Sequence, residues 1–364
     1  MSFLGQRFRS TTGHVGIAFE ECGIRMIQVR DHRGRLSVTG AAWVPWTAGG
    51  DPPELLGESI RAAFVTGGFT GRRCVVSMPR NEIWTQLAKL PDMPDSELNE
   101  AVAWEAAERF GVSRETLQCD WMRVGGDDGK ELFIIAADRE GMQPRLDAVL
   151  AAGLRPVAVD TDFGGVARLF SRRFRRDADA TRARAILDVG HSGSVLQILR
   201  GRHIAFCKPV SIGGRHLDVR VSERLDLEEA AASELRQARM VSAAALDPAT
   251  DGAVSDAARP VLAELAREAM LCLRHFSVSV RGDRPDRLLL TGGHASEPGL
   301  STLVESACRI PVQLDDESGC MRELSDGLSK VMSCSVGTVE SWSAAAGLSL
   351  RGANTDRSSG RRAA

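Results

Sequence analysis

One pattern, used twice, constrains what this chain can fold into. The stretches "VGIAFEECGIRMIQV" (15–29) and "ILDVGHSGSVLQIL" (186–199) each hold two short runs rich in Val, Ile and Leu around a turn of Gly and polar residues. Short β-branched runs on either side of a Gly-containing turn read as antiparallel strand pairs. A strand pair that opens each half of the chain signals an internal duplication, so two similar α/β lobes are expected from 364 residues.

The remaining pattern fills in the two halves. In the first, Val15–Glu20, Arg25–Val29 and Leu36–Trp43 read as strands, a helix opens at Asp51-Pro52-Pro53 and ends at Gly67-Gly68, and Cys74–Met78 reads as a buried strand. Residues 81–160 read as an inserted α+β unit in the order β-α-β-β-α-β, with a helix over Asp95–Phe110 capped by Asp95 or Ser96. A helix over Phe163–Phe174 is capped by Asp162, and the charge-dense Arg172–Arg184 reads as a linker. In the second half, strands over Ala185–Asp188, Ser194–Leu199 and Ile204–Val210 precede helices at Arg215–Leu225 and Leu227–Ser242. A break at Asp247–Gly252 leads to a long helix over Ala257–Val280, and a final helix lies near Val339–Leu350. The domain reading is a first lobe at 13–180 with the insert at about 81–160, a second lobe at 181–350, and a disordered Ser/Gly/Arg-rich tail at 351–364.

Composition excludes several function classes. The net charge of −2 gives no electrostatic drive toward nucleic acid or acidic lipid. Tyr is absent, which argues against a base-stacking surface. The eight Cys form no C-x-x-C pair, and none stands at zinc spacing with a His; a reducing compartment fits them. There is no run of 18 apolar residues, no secretory leader in Met1–Thr12, no G-x-x-x-x-G-K loop and no G-x-S-x-G elbow.

The chemistry concentrates in two places. In the second hairpin, Asp188 ends a buried run, and Gly190, Ser192 and Gly193 make the turn. Such a turn lets backbone N–H groups converge on phosphate, and the carboxylate can face a hydrated Mg²⁺. Later, "LLLTGGHASEPGL" (288–300) runs from a buried strand through Gly292-Gly293 into a helix, bare backbone that can accept a flat ligand. The two together are more specific than either alone.

These elements, with "VVSMPRNEIWTQLAKLPDMPDSELNEAVAWEAAERF" (75–110), "LDAVLAAGLRPVAVDTD" (146–162), "PVSIGGRHL" (209–217) and "AAAGLSLRG" (344–352), resemble the actin-like ATPases and, within them, the pilus-assembly (FtsA/PilM) family. The resemblance implies a two-lobed, ribonuclease H-like duplicated fold. It also implies a nucleotide site for ATP with Mg²⁺, in which Asp188, Gly190, Ser192 and Gly193 form the second phosphate loop, Asp188 faces the metal, and Gly292 and Gly293 form the adenosine motif. Ala345 and Gly347 would lie in an inter-lobe connecting helix. As partner it implies the cytoplasmic N-terminal peptide of a PilN-like bitopic membrane protein, alongside other pilus platform proteins. The protein would then be cytoplasmic and peripheral on the inner membrane, acting as a scaffold by peptide capture near the insert. The first phosphate loop departs from the family: Ala18 stands where a carboxylate is expected and Glu20 where Gly is expected, which makes ATPase activity doubtful and a degenerate ATP site the expectation. Rival readings are a kinase or ATPase of the same superfamily, a cell-division FtsA-like protein, and the cytoplasmic part of a type II secretion L-protein.

Other candidates have bland readings beside the functional ones. Asp160 or Asp162 could position water, although a cap suits Asp162 better. His191, in the phosphate turn, and His294, after the Gly pair, could each contact nucleotide; a surface turn suits His191 equally well and His294 better. Trp84, Trp104 and Phe110 could line a peptide groove, although packing on the insert's own sheet suits Trp104 better.

Overall fold

The computed structural model describes residues 11–46, 52–91, 93–124, 131–172, 182–242, 246–279, 284–314, 319–329, 331 and 337–352. The first half runs β1 (Thr11–Phe19), β2 (Gly23–His32), β3 (Arg35–Pro45), α1 (Pro53–Thr66), β4 (Arg73–Ser77), β5 (Ile83–Lys89), α2 (Asp95–Phe110), β6 (Leu117–Val124), β7 (Glu131–Asp138), α3 (Arg139–Ala151), β8 (Arg155–Asp160) and α4 (Asp162–Ser171). The second half runs β9 (Ala183–Val189), β10 (Ser194–Arg200), β11 (His203–Val210), α5 (Gly214–Leu225), α6 (Glu229–Val241), α7 (Pro248–Ser279), β12 (Leu288–Thr291), α8 (Leu300–Cys308), β13 (Val312–Leu314), α9 (Arg322–Leu328) and α10 (Ser343–Ser349).

The duplication is visible in the sheets. One has the order β3-β2-β1-β4-β8 and the other β11-β10-β9-β12-β13. In each, an antiparallel meander of three strands is extended by two parallel strands. The meander is local, because short turns suffice, whereas each parallel strand is reached through helices. The β2–β3 turn is Arg33-Gly34 with φ of 53° and 89°, the two positive values a two-residue hairpin turn needs.

Two helices join the halves. α4 and α10 cross between the sheets, inside one hydrophobic cluster that takes Ala18, Ile27 and Val75 from the first sheet and Ile186, Leu199 and Leu289 from the second. The crossing is backbone on backbone: a Cβ on Gly347 would stand 1.8 Å from the Gly165 carbonyl oxygen. No side chain fits at that point, so the small residues set how closely the two halves approach.

Pairing narrows the expected insert. β5, β6 and β7 form a separate antiparallel sheet in the order β5-β7-β6, backed by α2 through Leu98, Val102 and Ala106. However, β8 pairs with β4 and α3 packs on α1, so the second helix and closing strand of the expected 81–160 unit belong to the first lobe's own sheet. The unit is therefore three strands and one helix rather than β-α-β-β-α-β. Its alternation was sound, but sequence order does not reveal which sheet a strand joins.

Three local readings also change. The residue before α2 is Pro94, and no side chain caps that helix. α7 starts at Pro248, because the Asp247 carboxylate accepts from the N–H of Ala249 and Thr250 and turns the expected break into a helix start. The helix α9 was not among the expected elements and packs on β3. Most of the expected linker and tail lies outside the described residues.

Candidate functional site

The carboxyl ends of the central strands meet between the lobes, the usual place for a ligand in parallel α/β sheets. The cleft there is lined from the first lobe by Phe19, Glu20, Arg80 and Asp162, and from the second by Asp188, Gly190, His191, Ser192, Gly193, Gly292, Gly293 and His294. The structure thus brings together every residue assigned from sequence to the nucleotide site.

The turns of the two hairpins are closed alike. Glu20 N–H donates to the Gly23 carbonyl at 2.9 Å, and Gly190 N–H donates to the Gly193 carbonyl at 3.0 Å. Counting back two residues places Ala18 in the first lobe where Asp188 stands in the second. Ala18 is fully buried. The carboxylate of Glu20 does not stand unneutralised toward the cleft: it forms an ion pair with Arg25, the residue across the ladder from Ala18. That pairing offsets much of the repulsion a Glu20 carboxylate would exert on a phosphate in the cleft.

In the second lobe Asp188 is buried at the end of β9. Gly292 lies against it with φ of 95°, and a Cβ there would stand 2.3 Å from Asp188 Oδ1, so only glycine allows the carboxylate its position. A Cβ on Gly293 would meet only Ser341 Cβ, at 3.9 Å, so a small side chain has room there.

The residue that sequence reasoning missed is Arg80. It follows Pro79 at the end of β4 and begins a single 3-10 turn, Arg80–Glu82. Its guanidinium crosses the cleft. Nε donates to Asp162 Oδ2 at 2.7 Å, Nη1 to the Gly193 carbonyl at 3.1 Å and the Asp188 carbonyl at 3.4 Å, and Nη2 to the Asp188 carboxylate. One guanidinium therefore serves two carboxylates and the carbonyls of the phosphate hairpin. Burial opposes the Arg80 charge, but Asp162 and Asp188 outweigh it and hold the group above its usual range. Asp188 is served less well. Burial, aided by Asp162, pushes its carboxyl up to about 6 against the pull of Arg80. The available signal for Arg80 was its place just beyond the carboxyl end of a buried strand.

Asp162 is therefore not simply a cap. Thr161 caps α4, its hydroxyl accepting from Gly164 N–H at 3.0 Å. Asp160 is turned to Arg168 and Arg351 at 2.7 and 2.6 Å, and is not among the residues lining the cleft. His294 is buried rather than on the surface, because its ring fills the space beside Gly214 and stacks near His191 with centroids 5.9 Å apart. Burial first, then the Arg236 charge, holds it well below its usual range and therefore neutral.

Behind the hairpin lies a buried ionic group also absent from the sequence reading. Arg236 is fully buried and donates to the Gly214 carbonyl at 2.9 Å, to Asp218 and to Glu297 at 2.7 Å. Arg239 joins it through Glu297 at 3.7 Å and holds Asp251 at 2.6 Å. Ala232, Arg236 and Arg239 share the inward face of α6, so helical periodicity carried that signal. In the insert, Trp84 stacks on Phe110 at 5.8 Å, but Trp104 projects to solvent with Arg114 over its ring at 4.4 Å, contrary to the packing expected for it.

A magnesium nucleotide does not fit the cleft in this arrangement. Ala18 supplies no oxygen, Asp188 and Asp162 are engaged by Arg80, and among the described residues no group of three or more His, Cys, Asp or Glu could hold a metal ion. The cavity volume is about 150 Å³, below the roughly 300–1,000 Å³ of small-molecule sites. The expectation that Asp188 faces a metal therefore meets a resident guanidinium instead.

Two duplicated sheets, crossing inter-lobe helices and paired hairpins over a cleft define an actin-like ATPase fold. A solved structure of a PilM-PilN type IV pilus biogenesis complex matches with a TM-score of 0.74 at 21% identity, covering 94% of this chain and 98% of that one. The ethanolamine utilization protein EutJ from Carboxydothermus hydrogenoformans shares the fold at a TM-score of 0.54 and 12% identity, over 93% of this chain and 89% of that one. The family described as Type IV pilus assembly protein PilM matches residues 16–353, and this chain belongs to that family.

Proposed function

We propose that this protein is a cytoplasmic scaffold of the type IV pilus inner-membrane platform. It binds the cytoplasmic N-terminal peptide of a PilN-like bitopic partner, is held at the membrane by that partner and meets other platform proteins there. Family membership over 16–353 carries this reading, supported by the likeness to a solved PilM-PilN complex over nearly the whole chain. Among the described residues no helix is long and apolar enough to cross a membrane, so a partner is the anchor in this proposal.

The first lobe offers a surface suited to an extended peptide. β8 is the last strand of its sheet, and it presents Val157 and Val159 to solvent at 41% and 37% exposure. An apolar strip on an unpaired sheet edge can take an added strand. The nucleotide cleft plays a lesser part in this proposal: its first hairpin has Ala18 where a carboxylate is expected and its second is occupied by Arg80, so peptide capture does not require ATP turnover.

The test is fluorescence anisotropy with a labelled N-terminal peptide of the PilN-like protein from the same source. Saturable binding that is unchanged by ATP and weakened by Val159→Arg is expected. Absence of binding, or binding only with ATP, would sink the proposal.

A further inference from the structure

We propose that Arg80 is the resident cation of this cleft, standing between Asp162 and Asp188 in the place where a divalent metal would bridge carboxylate and phosphate. The inference rests on the reading of the cleft as the family's inter-lobe site and not on which peptide the first lobe captures. Three independent observations carry it.

The first is geometry. Arg80 comes from the first lobe, yet its guanidinium reaches the second phosphate hairpin and satisfies the Asp188 carboxylate, the Asp188 carbonyl and the Gly193 carbonyl at once. The planar fork of an arginine suits several fixed oxygen acceptors, as a lysine point charge does not.

The second is charge. Asp162 and Asp188 would be two buried carboxylates facing each other without it; their side chains are 16% and 5% exposed. Like charges this close demand a cation or a proton. Arg80 is that cation, and with it the need for a metal ion at this point is gone.

The third is the rest of the metal set. A family metal site would draw on both hairpins, but the first contributes Ala18, which the structure buries among apolar residues. A carboxylate is lacking on one side of the cleft and a guanidinium stands on the other, so the positive charge at this point is built into the chain. Glu20 fits the same account, because Arg25 neutralises it internally.

The proposal is tested on the full chain. Mn²⁺ binding, followed by the loss of free-ion electron paramagnetic resonance signal, is measured for wild type, Arg80→Gln, Arg80→Lys and the double variant Arg80→Gln with Asp188→Asn. Arg80→Gln is expected to take Mn²⁺ at least about tenfold more tightly than wild type, because two carboxylates lose their cation. The double variant is expected to lose that gain, and Arg80→Lys to resemble wild type. Equal Mn²⁺ binding by wild type and Arg80→Gln would overturn the proposal.

A second measurement needs no variant to fold other than Asp188→Asn. Thermal stability of the wild type is compared with ATP plus Mg²⁺ and with ATP plus a chelator. No magnesium-dependent shift is expected, and a magnesium-dependent shift that Asp188→Asn abolishes would overturn the proposal. Peptide anisotropy on the same Arg80→Gln sample separates the two readings. Retained peptide binding leaves the scaffold role standing whichever way the metal result falls.

Discussion

The β1–β2 and β9–β10 hairpins are the same backbone carrying opposite chemistry. Both turns close with a hydrogen bond from the first turn residue to the fourth, Glu20 to Gly23 and Gly190 to Gly193. Both open a meander extended by parallel strands. At equivalent positions, however, the first has Ala18 and the second Asp188, and the first has Glu20 and the second Gly190. The first hairpin is neutralised within itself by Arg25, whereas the second draws its counter-charge from the other lobe through Arg80 and is backed by the buried Arg236 group. The comparison teaches that the fold preserves what the backbone needs, while the charges that give a cleft its chemistry are free to move between lobes.

The comparison can be broken most severely behind the second hairpin. Arg236→Leu should cost about 3–5 kcal/mol in urea unfolding, since it strands Asp218 and Glu297 in the interior. In the first hairpin Arg25 is buried but its partner Glu20 is partly exposed, so Glu20→Gln should serve as the mild counterpart. Exchanging the equivalent residues comes next. Ala18→Asp should destabilise by about 3 kcal/mol, because it buries a carboxyl in an apolar cluster. Asp188→Ala should cost about 2 kcal/mol through the lost bonds to Arg80, both read from thermal midpoints.

A smaller effect follows from the raised carboxyl of Asp188. Its folded value of about 6 lies above the ordinary 3.8, so its contribution to stability is complete below the ordinary value and is lost as pH rises through 6. Relative to Asp188→Asn, the wild type should gain about 1 kcal/mol between pH 7 and pH 5 in parallel urea titrations. The smallest change is Glu20→Gln. Its partly exposed pair with Arg25 should be worth about 1 kcal/mol or less, shrinking with added salt.

Much of the fold was legible because it is local. The hairpins, α2 over Asp95–Phe110 and the strands of the insert follow from periodicity and turn chemistry within a few residues. The cleft glycines were legible for the same reason: bare backbone after a buried strand is a local signature. What the sequence hid depends on two distant segments meeting. Arg80 is 108 positions from Asp188, and nothing around Pro79 names its partner. Asp162 looked like a cap because it begins a helix, but Thr161 takes that role and frees its neighbour for the cleft. β8 looked like part of the insert because it follows it, although hydrogen bonding assigns it to β4. Arg236 and Arg239 were legible in principle, as cations on the buried stripe of α6, but only the structure supplies the acids that justify them.

The glycine-on-glycine contact where α4 crosses α10 has a mechanical consequence. At the point of closest approach backbone meets backbone and no knob locks into a hole, while Arg168 holds the Gly347 carbonyl at 3.2 Å and apolar side chains of both helices pack on either side. The contact between Gly165 and Gly347 is then a fulcrum, and the lobes are levers whose ends travel farther than their centre. Arg80 ties Asp188 of the second lobe to Asp162, three residues before Gly165 on α4, so the ionic link between the lobes sits close to that same fulcrum. A larger residue at 347 would force the two helices, and with them the lobes, apart at this bearing.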